Sequence, residues 1–131
     1  MGFALDISLN PNAFGGENVT KVFEDVGYVD NGTGRLRRVA ATAMTAPETL
    51  TVSHRRTKES SGVSVDQHLV RLDNQIVTAG AGTVKYSCWL VIRNPVGVSE
   101  VTAALIKSQI GRLVAFQQAA NATDNLLNGS I

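Results

Sequence analysis

The stretch VKYSCWLVIRNPVGVSEVTAALIK, Val84 to Lys107, changes its period halfway, and that change decides the fold class. From Val84 to Ile92 the residues are β-branched, aromatic or alternating, the composition of a strand. Asn94-Pro95-Val96-Gly97 then breaks the pattern. Beyond the break Ser99 is a candidate cap, and EVTAALIKSQIGRLVAFQQAA has no proline and one interior glycine, Gly111, which predicts a long helix. Val101, Leu105, Ile106, Ile110, Leu113 and Phe116 spread around about half of that helix, wider than the usual apolar stripe of about 100°. NATDNLL adds a short second helix, capped by Asn121 or Thr123 and ended by Asn128-Gly129.

Upstream the pattern is all strand. Phe3 to Leu9 alternates weakly, NPNAFGGEN is turn-rich, and VTKVFEDVGYV reads as the second arm of an N-terminal hairpin within residues 1–29. After the turn DNGTG come RLRRVAATA, ETLTVSHRR, VDQHLVRL and VKYSCWLVI, four strands within residues 35–93, separated by Met44 to Pro47, TKESSG and the longer DNQIVTAGAGT. Strands first and helices (residues 99–129) last predict an α+β domain over 1–131: an N-terminal β-hairpin plus an antiparallel meander sheet, with two C-terminal helices on one face. Such a layer leaves one sheet face open, an edge strand unpaired and a helix with surplus apolar surface. Pairing of two chains answers all three; burial of the helix inside a monomer is the other solution.

Composition bounds the rest. With 131 residues and 44% hydrophobic residues the chain can build a real core. It contains no apolar run long enough to span a bilayer and no signal-peptide pattern in MGFALDISLN, so a cytosolic product used whole is expected. Cys88 stands alone, which excludes an internal disulfide and a cysteine-cluster zinc site. The net charge is +1, yet nine basic and four acidic residues lie between Arg35 and Arg93, a local excess of +5. That middle suits phosphates, although a solvated sheet face fits the charge equally well.

Catalytic motifs are missing. His54, His68, several serines and Asp66 or Asp73 could be assembled into a hydrolytic site, but no G-x-S-x-G elbow occurs, GTGRLRR lacks the spacing and lysine of a phosphate loop, and no metal-ligand cluster is present. The Asn-x-Ser/Thr triplets at Asn18, Asn31, Asn121 and Asn128 read as turn and cap residues. The expectation is a protein that is not an enzyme and needs neither cofactor nor metal.

The order of elements, the strand TVSHRRTKESS, the passage YSCWLVIRNP through VGVSE into the long helix, and the closing NLLNGSI together resemble the coat proteins of single-stranded RNA bacteriophages (leviviruses). The resemblance implies an intertwined homodimer in which each subunit's helices cross the other's sheet, giving one continuous sheet of ten strands. It further implies assembly into an icosahedral virion capsid in the host bacterial cytoplasm, with genomic RNA against the open sheet face. Binding of an RNA hairpin, repressing translation and marking the genome for packaging, belongs to the same picture. A small dimeric RNA-binding regulator that forms no shell is the alternative.

Strict alternation along strands then assigns the faces. Leu50 and Val52, His68, Val70 and Leu72, and Tyr86, Cys88, Leu90 and Ile92 form the helix-covered side. Thr51, Ser53, Arg55, Gln67, Arg71, Lys85, Ser87 and Trp89 form the RNA side, with Arg55 facing RNA and Arg56 not. Coat proteins of this kind often stack an unpaired base on a tyrosine of the last strand; here Lys85 occupies that face, and Trp89 is the substitute stacking surface or else packs against a neighbour. The segment Asp73 to Thr83, with Gly80 and Gly82, corresponds to the loop that meets its copies around symmetry axes.

Overall fold

The structure, a computed structural model, describes residues 3–14, 16–42, 45–80 and 82–129. Met44 at the start of the expected Met44 to Pro47 break, Ala81 of the expected 73–83 loop, and Ser130 and Ile131 at the end of NLLNGSI lie outside the described residues, as do Met1 and Gly2. The chain divides into two compact units: one holds every strand, and the other joins residues 10–19 to the C-terminal helices.

In the first unit six strands form a single meander in the order β1-β2-β3-β4-β5-β6, every neighbour antiparallel. They are β1 Ile7–Leu9, β2 Lys21–Val29, β3 Gly34–Val39, β4 Thr49–Lys58, β5 Ser64–Thr78 and β6 Gly82–Pro95. The N-terminal hairpin is therefore continuous with the sheet, because β2 also pairs with β3. Its first strand is short for a physical reason. The carbonyls of Ala4 and Leu5 accept from the Arg37 guanidinium at 2.9 and 2.7 Å, and the Asp6 carboxylate accepts from the Asp25 amide at 3.0 Å, so these groups serve as side-chain partners instead of a ladder. Arg37 is only 2% exposed and lies beside buried Phe23, Leu50 and Val52, the centre of the core.

A bulge at Val26 shifts the β2–β3 register, so that Asp25 opposes Arg37 and Tyr28 opposes Arg35. One consequence is local: Arg35 reaches Asp25 through two hydrogen bonds and lies 4.6 Å over the Tyr28 ring.

The expected loop from Asp73 to Thr83 is corrected. β5 continues through Asp73 to Thr78 and β6 begins at Gly82, because Asn74, Gln75, Ile76 and Val77 find ladder partners in Tyr86, Lys85, Val84 and Thr83. Only residues 79–81 connect the two strands. Gly82, with φ of +69°, supplies the left-handed conformation that closes so short a hairpin.

In the second unit α1 spans Ala103–Gln118 and α2 spans Ala122–Leu127. The expected cap is corrected too: the Thr102 hydroxyl, not Ser99, accepts from the Leu105 amide at 3.3 Å, since Val98 to Val101 closes a turn of its own. Asn121 sits at the N-cap of α2 in the left-handed region that asparagine tolerates, and Gly129, at φ of +71°, follows its end as expected. No described residue of α1 is buried, and Leu105, Leu113 and Phe116 are each more than half exposed.

Candidate nucleic-acid interface

The interface is built from register. Across β4, β5 and β6 the rows Thr49–Asp73–Ser87, Thr51–Arg71–Trp89, Ser53–Leu69–Val91 and Arg55–Gln67–Arg93 lie side by side, with Gln75–Lys85 beyond them. Side chains alternate along each strand, so all eight residues singled out from sequence share one face, hereafter the Trp89 face. The opposite face carries Arg37–Leu50–Leu72–Cys88, Arg35–Val52–Val70–Leu90, His54–His68–Ile92 and Arg56–Asp66–Asn94. Arg55 and Arg56 thus part to opposite sides. Arg56 is tied to Asp66 by two hydrogen bonds of 2.6 and 2.9 Å.

Sharing a face does not make the eight equivalent. Trp89 is 63% exposed and Arg55 is exposed with no hydrogen bond or ion pair to any described residue, whereas Thr51 is buried between its neighbours. Arg71 and Lys85 both answer to Asp73. Its carboxylate, in a residue only 4% exposed, accepts from Arg71 Nε at 2.8 Å and from the Ser87 hydroxyl, with Lys85 Nζ 3.5 Å away. Burial pushes the Asp73 carboxyl up, but the Ser87 hydroxyl and the Arg71 and Lys85 charges outweigh it and hold the group below the usual carboxylate range. The cluster therefore presents one net positive charge rather than two.

The basic excess of the sequence is also divided. Arg35 and Arg56 turn to the Cys88 side, where Asp25 and Asp66 neutralise them, and each partner carboxyl is held low first by its arginine hydrogen bond. On the Trp89 face Arg93 reaches Glu59 at 2.7 Å. What remains uncommitted there is Arg55, at the edge of a cavity of about 370 Å³ lined also by Asp30, Thr33, Ser53, His54, Gln67 and Leu69. Sequence reading missed Asp30 and Thr33. Their signal was DNGTG: Asp30, Asn31 and Gly32 all take positive φ, which folds the turn toward β4, and Gly34 permits it, since a Cβ there would stand 2.9 Å from that of Ser53.

Among the described residues no helix is long and apolar enough to cross a membrane, and no group of three or more histidine, cysteine or acidic residues converges.

No family model and no curated protein sequence matches the chain. Solved structures do. The virus-like particle of bacteriophage ESE058 matches with a TM-score of 0.68 at 12% identity over 95% of this chain and 94% of that one. The virus-like particle of bacteriophage ESE020 follows with a TM-score of 0.65 at 16% identity, over 100% and 99%. That of Beihai levi-like virus 32 has a TM-score of 0.58 at 18% identity, over 82% and 85%. The six-stranded antiparallel sheet followed by C-terminal helices is the fold these particle subunits share.

Proposed function

We propose that this chain is a capsid protein of a single-stranded RNA bacteriophage, which dimerises, assembles into an icosahedral shell and holds genomic RNA against the Trp89 face. The observation that carries the proposal is the extent of the fold match: it takes in nearly all of both chains, strands and helices together, and the matched structures are virus-like particles.

Pairing of two chains has physical support. α1 exposes Leu105, Leu113 and Phe116, α2 exposes Leu126 and Leu127, and the Cys88 face exposes Leu72 and Tyr86. Surfaces of this extent on a soluble chain call for a partner, and a second copy brings a helix for each open face. β6 adds a 14-residue strand at the end of the sheet order, ready to pair. Joined along that edge, two six-stranded sheets make twelve strands, two more than the resemblance implies.

RNA contact rests on chemistry of the opposite face. Arg55 and the outer nitrogens of Arg71 offer donors to phosphate, Lys85 adds charge, and exposed Trp89 offers a plane for an unpaired base. Recognition of an operator hairpin, with repression of translation and selective packaging, is the finer form of the same proposal. The role is structural, exercised in the virion after assembly in the host cytoplasm.

Expression of the chain followed by electron microscopy tests the core of it. Shells of virus size containing RNA are expected; a soluble dimer that never forms particles under assembly conditions would instead favour the dimeric regulator.

A further inference from the structure

The chain has two histidines; neither belongs to the buried core, and both project from the Cys88 face, with His54 also bordering the Arg55 cavity. His54 and His68 stand directly opposite each other on β4 and β5, with Nδ1 atoms 2.7 Å apart and ring planes at 71°. In that contact one Nδ1–H donates and the other Nδ1 accepts, so a single proton bridges two nitrogens that face each other.

We propose that His54 and His68 form a binding site for a divalent transition cation, of the Cu²⁺, Ni²⁺ or Zn²⁺ class. The cation replaces the bridging proton. The donor ring keeps its one proton by moving it to Nε2, so two neutral imidazoles turn both Nδ1 lone pairs to the metal without net proton release. With metal–nitrogen bonds of about 2.0–2.1 Å, nitrogens 2.7 Å apart subtend about 80–85° at a shared ion. Opening the pair by roughly 0.2 Å and swinging each ring by about 45° off the line between the nitrogens gives the ~90° of adjacent ligands in a square-planar or octahedral shell. Direct pairing on adjacent strands holds the two rings at that spacing, and rotation of the side chains is the adjustment binding needs.

The surroundings select the class. Imidazole suits copper, nickel and zinc, while magnesium and calcium need oxygen donors. The carboxylate next to His68 on that face, Asp66, is occupied by Arg56, and Arg35, one row away from His54, is neutralised by Asp25. Two protein ligands with water completing the shell rank Cu²⁺ first, then Ni²⁺. His54 is exposed, which leaves solvent access to the site. The proposal stands on the cross-strand pair and not on the capsid reading.

Titration calorimetry on the untagged full chain tests it. CuCl2 and NiCl2 should each bind at one equivalent per chain near neutral pH, and MgCl2 should give no binding heat. His54→Gln and His68→Gln should each weaken binding by about tenfold or more, whereas Cys88→Ser should not. Electron paramagnetic resonance of the Cu²⁺-loaded native protein should show coupling to two imidazole nitrogens, a readout that needs no variant to fold. Absence of binding by the native chain, undiminished binding in either histidine variant, or a copper spectrum without imidazole coupling overturns the site.

Discussion

The Trp89 and Cys88 faces of the sheet are made by the same strands with comparable numbers of arginines, yet they spend their charges differently. On the Cys88 side Arg35 closes on Asp25 and Arg56 on Asp66, and apolar rows fill the space between. On the Trp89 side two bases and a hydroxyl share one sunken carboxylate, and Arg55 is bound to nothing described. A face that neutralises its charges in pairs can be covered by a helix; one that leaves donors unspent has something to offer an anion. The lesson is that the number of basic residues says less about partners than which of them already have one.

The sharpest way to break the Cys88 side is Leu50→Ala, which deletes a nearly fully buried side chain opposite Arg37 and should cost about 2–5 kcal/mol in urea unfolding. A loss below that range would mean this side is not the core. Next comes Asp73→Asn, which leaves Arg71, Lys85 and Ser87 with a poorer acceptor and should destabilise by about 1–3 kcal/mol. If the Trp89 face holds RNA, the same variant should bind RNA more tightly with a steeper salt dependence, because one negative charge is gone. Stability and retention moving together would contradict the division of labour between the faces.

Trp89→Ala should weaken RNA retention by about 1–3 kcal/mol per stacked base while leaving unfolding nearly unchanged; a destabilised protein with intact retention would mean that the indole packs rather than stacks. Arg55→Ala should lower the salt slope of RNA binding by about one, and Arg56→Ala should not, which nitrocellulose retention across a salt series reads directly. Acid sharpens the picture further. Asp25, Asp66 and Asp73 are all held below the ordinary carboxylate value, so the stability they add is present above about pH 4 and is lost as pH falls through their lower folded values. Native protein should therefore weaken more steeply below about pH 4 than Asp73→Asn does, as urea midpoints across pH would record.

Much of this was legible beforehand. Period two from Leu50 to Arg55, from Gln67 to Leu72 and from Lys85 to Arg93 put all eight chosen residues on one face, and the parting of Arg55 from Arg56 follows from alternation alone. Other features were not. Asp73 looked like the start of a loop because Asp-Asn at 73–74 is turn composition, but the partners offered by Tyr86 and Lys85 override that local preference. Ser99 and Thr102 are both good caps, and only the turn closed by Val98 and Val101 selects the second.

The sequence by itself determined the succession of strands and helices, the two faces of the sheet and the identity of the residues on each, because periodicity is a local property of the chain. Tertiary structure alone decided which of those residues are free. Whether Arg55 is spent, whether Lys85 is shared, and whether His54 meets His68 all depend on register between strands, a relation among residues far apart in sequence that no local pattern encodes.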